Sequence, residues 1–166
     1  LCSEIHIGHW QLVALDSQIP GEVGGRLGEP ELARLEIALT RGAENNLYSF
    51  ICMHHQPVPV GCDWLDEQMV SDAGAFFDVL DRFPAVRGVL WGHVHQAVDI
   101  ERNGVALMSS PSTCAQFAPD SREFRAQDIP PGYRWLELSS DGSISTGISR
   151  VAEGQFKVDL ESGGYL

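Results

Sequence analysis

The chain predicts an α+β fold, and three observations carry that prediction. Apolar runs of strand length recur and end in polar loops. Two amphipathic helical stretches separate the first three of these runs. The second half changes character, with little helical periodicity and two glycine turns of hairpin type. The order is strand, helix, strand, helix, strand, then several hairpin strands, which suggests layered α/β followed by antiparallel sheet.

Each element has its own signal. Residues 10–15 form an apolar run stopped by Asp16-Ser17 and read as a strand. Residues 21–28 hold four glycines and read as a flexible loop. Glu29-Pro30-Glu31 marks a helix start, with proline in the first turn and acids facing the positive dipole end. Leu32, Leu35 and Leu39 continue that helix over residues 30–42, and Arg41-Gly42 ends it. Residues 48–53 are nearly all apolar, as in a strand covered on both faces. Residues 56–66 carry Pro57, Pro59 and Gly61 and read as a loop. Met69, Val70, Ala73, Phe76, Phe77 and Leu80 predict a second helix ending near Phe83-Pro84. Residues 86–91 are the next strand. Asn103-Gly104 joins strands at 97–101 and 105–109, and Asp141-Gly142 joins strands at 133–138 and 143–148. Residues 110–132, with four prolines, read as irregular.

Composition narrows the function classes. The chain has 166 residues, enough for one domain, and its 43% hydrophobic content is that of a globular protein. A net charge of −12 argues against non-specific nucleic-acid binding, which needs a cationic surface. No apolar run reaches membrane-helix length, so no membrane partner is expected. Lys157 is the only lysine, which excludes a Walker loop. Cys2, Cys52, Cys62 and Cys114 lack paired spacing and read as reduced thiols, with the cytoplasm as the expected compartment.

Several short signals yield to simpler accounts. His6-Ile7-Gly8-His9 spells the adenylate-binding signature of class I aminoacyl-tRNA synthetases, but a strand follows it and no lysine-rich loop accompanies it. It reads as a surface or strand-edge segment. The glycine loop at 21–28 lacks a dinucleotide fingerprint. Asp63 and Asp66 could pair as acids, and helix capping by Asp66 is the simpler reading. No strained Gly-x-Ser-x-Gly elbow surrounds Ser17, Ser112 or Thr113.

Two histidine clusters remain, Met53-His54-His55-Gln56-Pro57 and Trp91-Gly92-His93-Val94-His95. Each follows a buried-strand pattern, and ligands in open sheets sit beyond strand carboxyl ends. Imidazoles there suit Zn, Fe or Mn. His93 and His95 can point the same way if extended, or reach two adjacent ions around a turn.

These clusters, with residues 109–117 (Ser-Ser-Pro-Ser-Thr-Cys-Ala-Gln-Phe) and Pro131-Gly132-Tyr133-Arg134, resemble the calcineurin-like metallophosphoesterases. Within that superfamily the chain is most similar to bacterial 3′,5′-cyclic AMP phosphodiesterases. The resemblance implies an α/β/β/α sandwich and two divalent metal ions (Fe, Mn or Zn). It implies His54 and His93 on one ion and His95 on the other. His55 would orient a loop or meet substrate, while Ser112 and Thr113 would shape the substrate pocket.

The family's Asp-x-His, Gly-Asp and Gly-Asn-His motifs are not found in residues 1–9 or later. The chain is therefore expected to be a single partial domain over 1–166, the carboxy-terminal part of such an enzyme, without its amino-terminal strands and helices. The intact parent would hydrolyse cyclic AMP to 5′-AMP; no catalytic residue is assigned within the chain, which is expected to bind metal weakly and to lack turnover alone. A bared sheet face would favour a homo-oligomer or the missing segment as partner. The competing readings are another phosphodiester or phosphomonoester substrate, and a non-catalytic metal-binding or self-assembling module.

Overall fold

The computed structural model describes residues 3–152 together with Gly154, Val158 and Leu160. Leu1, Cys2, Lys157 and most of the tail after 152 lie outside the described residues. The elements in chain order are β1 (Glu4–Ile7), β2 (Trp10–Ala14), α1 (Gly28–Glu44), β3 (Tyr48–Met53), α2 (Asp63–Asp66), α3 (Ala73–Leu80) and β4 (Val86–Trp91). There follow β5 (Asp99–Arg102), β6 (Val105–Ser109), β7 (Gln116–Phe117), β8 (Ala126–Gln127), β9 (Gly132–Leu138) and β10 (Ile144–Arg150).

Six strands form one mixed sheet in the order β1-β2-β3-β4-β6-β5. The four inner strands β2, β3, β4 and β6 run parallel, while β1 and β5 close the edges antiparallel. Parallel neighbours need crossovers: α1 connects β2 to β3, the segment with α2 and α3 connects β3 to β4, and the segment through β5 connects β4 to β6. All four parallel strands therefore deliver their carboxyl ends to one rim of the sheet, where the histidine loops emerge.

Side-chain alternation divides the sheet into two faces. Val13, Ile51, Met53, Val89 and Leu107 point toward α1 and α3 and meet Leu35, Leu39, Phe76 and Leu80 in a continuous core. Trp10, Phe50 and Met108 point the other way, where Leu136, Leu138 and Ile144 of the β9–β10 hairpin rest on them. The Trp10 indole N–H donates to the Ser139 carbonyl at 2.8 Å. Arg134 pins the hairpin from its other end. Its side chain is almost wholly buried and donates to the carbonyls of Ser109 and Val98 and to both oxygens of the Asp99 carboxylate.

The structure departs from the sequence expectations in four places. Residues 4–7 form a paired edge strand, although Ile5 and Ile7 are exposed. The second helix begins at Ala73, not Met69, because Val70 pairs in an isolated bridge with Gly25. Asp66 caps no helix start. It ends α2, and its carboxylate accepts from the backbone N–H groups of Val60 and Gly61. Residues 110–132 contain the small β7–β8 ladder.

Candidate metal centre

His54 follows β3 directly, and His93 stands two residues past β4. Parallel pairing sets Met53 beside Trp91, so the two loops leave the sheet side by side. The rings meet edge to face with centroids 5.1 Å apart. His54 Nε2 and His93 Nδ1 are 3.2 Å apart.

Local backbone geometry makes this meeting possible. The Val94 N–H turns back to the Gly92 carbonyl at 2.6 Å, a three-residue turn centred on His93. His93 has φ 54° and His95 has φ 50°, both left-handed. That conformation costs an L-residue roughly 1–2 kcal/mol. Val94 between them is fully buried in the helix-side core and anchors the turn. Of the two arrangements open from sequence, the structure shows the turn, with His93 and His95 directed to different neighbours.

Hydrogen-bond partners fix the tautomers of His93, His95 and His55, because a carbonyl or amide oxygen only accepts. His93 Nε2 lies 2.8 Å from Gln68 Oε1, so the proton sits on Nε2 and the Nδ1 lone pair faces His54. His95 Nδ1 lies 3.0 Å from the Ala115 carbonyl, which leaves its Nε2 as the lone-pair nitrogen. The His95 ring also stacks on Phe117 at 4.1 Å.

His55 is different. Its Nε2 donates to the Val23 carbonyl at 3.0 Å, and its Nδ1 accepts from the Ser17 hydroxyl at 2.8 Å. Its backbone N–H in turn donates to Ser17 Oγ at 3.3 Å. His55 falls within the same cluster as His54 and His93, with nitrogens within 4.8 Å of one another. Both of its nitrogens are nonetheless engaged, by the Val23 carbonyl and the Ser17 hydroxyl. The glycine-rich loop permits this. A Cβ on Gly25 would come within 2.5 Å of the His55 ring.

All four imidazoles are shifted toward the neutral form. Burial pushes His54 down, and burial followed by the His54 charge pushes His55 down. Burial, then His55, His54 and His95, bring His93 down to about 4. Burial also lowers His95, against an opposing pull from the Ala115 carbonyl. Neutral imidazole is the form that binds metal. Beside the rings is an open cleft of about 570 Å³, with Asp16, Ser17 and Glu22 on its wall.

Of the residues singled out in sequence, His54 and His93 are brought together and His55 joins them. His95 stands apart, oriented by the loop that carries Ser112 and Thr113. Ser112 is half-buried and its hydroxyl accepts from the Cys114 N–H, while Thr113 is exposed. Gln68 and the carbonyls of Val23 and Ala115 were not anticipated. No motif or periodicity marks them, since each acts through a contact distant in sequence.

No family model matches the chain. Curated relatives do. The 3′,5′-cyclic adenosine monophosphate phosphodiesterase CpdA of Pseudomonas aeruginosa is 45% identical over 161 residues, covering 97% of this chain and 58% of the relative. The Vibrio vulnificus protein of the same name is 43% identical, covering 95% and 57%. The chain thus spans little more than half the length of these relatives. Among solved structures, GAP50, the anchor in the inner membrane complex of Plasmodium, superposes with a TM-score of 0.62 at 16% identity over 97% of this chain and 54% of that one. A dimetal phosphatase from Danio rerio gives a TM-score of 0.54 at 16% identity over 78% of this chain and 54% of that one. Over nearly its whole length the chain is thus similar in sequence to bacterial CpdA-type cyclic AMP phosphodiesterases, and it shares its fold with a dimetal phosphatase.

Proposed function

We propose that the chain forms part of a metal-dependent phosphodiesterase whose intact form hydrolyses 3′,5′-cyclic AMP to 5′-AMP. The observation that carries this is the 3.2 Å approach of His54 Nε2 to His93 Nδ1 at the rim of a parallel sheet. Two nitrogens each about 2.0–2.1 Å from one tetrahedral ion stand about 3.3 Å apart, so the pair fits a shared divalent cation. His54 and His93 would hold one ion and His95 Nε2 the second, with Fe, Mn or Zn as the metals this donor set suits. Bound metals would supply Lewis-acid activation of the phosphoryl oxygens and a hydroxide nucleophile. The protein's own share is orientation: Val23 and Ser17 fix His55, and Ala115 fixes His95. Ser112 and Thr113, on the loop whose Ala115 carbonyl orients His95, would contact the substrate. The names of the curated relatives support cyclic nucleotide as the substrate.

Among the described residues the histidine cluster includes no carboxylate. Imidazoles alone bring no negative charge to hold two cations close together. The chain by itself is accordingly assigned weak metal binding and negligible turnover. Cyclic AMP hydrolysis with Mn²⁺ or Fe²⁺ measures this: none is expected from the chain alone, and appearance of 5′-AMP when the remaining segment of a CpdA-type relative is added supports the reading. Ordinary enzymatic turnover by the chain alone refutes it.

Two further assignments accompany this one. Free Cys52, Cys62 and Cys114 support a reducing, cytoplasmic setting, and among the described residues no helix is long and apolar enough to cross a membrane. The half-buried Leu12, Cys52 and Leu90 on the hairpin side of the sheet support self-association or docking of the remaining segment. Light scattering at high concentration tests this, with a mass above the monomer expected.

A further inference from the structure

We propose that Gln68 is a positioning residue for His93, fixing which ring nitrogen is presented to the metal; this rests on the metal-site reading above. Gln68 lies in the turn between α2 and α3, outside the histidine motifs. Its Oε1 is 2.8 Å from His93 Nε2. An amide oxygen can only accept, so this contact holds the His93 proton on Nε2 and keeps the Nδ1 lone pair directed at His54.

The amide is well placed for this task because its backbone is tied at both ends. The Gln68 N–H donates to the Leu65 carbonyl at 2.9 Å, and the Gln68 carbonyl accepts from the Gly25 N–H at 3.1 Å. The next anchor, Val70, is buried and bridges to Gly25. Among the described residues, Gln68 is also the only side chain that orients one of these rings through an acceptor-only oxygen. Val23 acts on His55, and Ala115 on His95, through backbone carbonyls. His93 stands two residues past β4 in a turn with φ 54°, and the acceptor its Nε2 meets there is the Gln68 side chain. Without the amide, a neutral ring can place its proton on either nitrogen. Only one of those tautomers offers a lone pair toward His54.

The test uses the full 166-residue chain and two readouts. Long-range ¹⁵N–¹H spectra of the metal-free protein report the tautomer, with the His93 signals assigned by their loss in His93→Asn. The unchanged chain is expected to show the Nε2–H form. Gln68→Leu is expected to give a mixture of tautomers. Gln68→Glu retains an acceptor oxygen at the same reach and is expected to restore the Nε2–H form, which also controls for folding. In Mn²⁺ calorimetry, Gln68→Leu is expected to weaken binding about 10–100-fold, with recovery in Gln68→Glu. A His93 tautomer unmoved by Gln68→Leu, or an affinity within about threefold of the unchanged chain, overturns the role of Gln68 while His93→Asn still abolishes binding. Mn²⁺ affinity indifferent to both His54→Ala and His93→Asn overturns the metal reading itself, and Gln68's role toward the ion with it.

Discussion

The two faces of the six-stranded sheet are closed in different ways. One lies under α1 and α3, where Leu35, Leu39, Phe76 and the inward side chains of four parallel strands form a continuous buried core. The other is covered by one antiparallel hairpin. There only Trp10, Phe50 and Met108 are buried, and Leu12, Tyr48, Cys52 and Leu90 are half-covered. The same strands serve both faces, so the difference comes from the covering elements. The histidine rim belongs to the closed side: Val94, between the two left-handed histidines, is part of the helix-side core. Burial there is what holds the strained turn.

The largest expected effect follows directly. Phe76 is fully buried, and Phe76→Ala should cost about 3–5 kcal/mol. Leu12→Ala on the hairpin face removes a side chain still partly in water and should cost about 1–2 kcal/mol. Urea unfolding of both variants measures the ratio. Equal losses would show that the hairpin closes its face as completely as the helices close theirs.

Acid should find the histidine rim. His93 falls from an ordinary 6.5 to about 4 in the folded chain, chiefly by burial, with His54, His55 and His95 lowered in the same direction. Between those values the unfolded chain binds more protons than the folded one. Stability is therefore full above about pH 6.5 and declines as the pH drops toward 4. Glu31, Glu36, Asp81 and Asp141 are lowered by their hydrogen-bonded partners, so their contribution is present above about 4.5 and is lost only below it. The window from pH 6.5 to 4.5 thus isolates the imidazoles. Urea midpoints should fall across it, and His93→Asn should flatten the fall. A flat profile in the unchanged chain would mean the rings are not buried as described.

A smaller loss is expected at the hairpin's anchor. Arg134→Met keeps the length of the side chain and strands the Ser109 carbonyl, while the Val98 carbonyl keeps its bond from the Ser109 N–H at 3.0 Å. A stranded acceptor costs about 1–3 kcal/mol, so a loss near 2 kcal/mol is expected. Asp99 is itself largely exposed and adds little through the ion pair. Increased hydrogen exchange confined to β9 and β10 would sharpen the contrast between the two faces.

Sequence made the closed face readable and the open one less so. The strands at 48–53 and 86–91 announce themselves because both their faces meet apolar neighbours, which leaves an uninterrupted apolar run. Edge strand β1 has no such signature, since its Ile5 and Ile7 face water. The start of α3 is not legible, because Met69 and Val70 keep helical spacing while Val70 is buried in an isolated bridge with Gly25. At the site, His54 and His93 were legible from their positions past strand ends. The left-handed backbone at His93 and His95 was not, because nothing in Gly-His-Val-His requires it. Gln68, Val23 and Ala115 stayed hidden for a related reason: a tautomer is set by the residue across the gap, and tertiary structure alone says which residue that is.

The smallest effect concerns the loop that carries His55's partners. Helix α1 has no side-chain cap of its own. Its first free N–H groups, on Leu27 and Gly28, instead donate to the two carboxylate oxygens of Asp72 at 3.0 and 2.7 Å, across a separation of more than forty residues. A carboxylate at a helix start satisfies otherwise unpaired donors and complements the dipole, worth about 0.5–2 kcal/mol. Arg26 stands 3.8 Å from the same carboxylate but is largely exposed and contributes little. Asp72→Ala should therefore lower stability by about 1 kcal/mol, and Asp72→Asn, which keeps one acceptor, by less. The consequence for the site is separable from the stability loss. Residues 17–28 hold Ser17 and Val23 against His55, and Asp72 closes that segment at its far end. Amide exchange should rise through residues 23–28 in Asp72→Ala while the strands of the parallel sheet stay protected. Uniform loosening of the whole chain would instead mean that this loop and the helix-side core unfold as one unit.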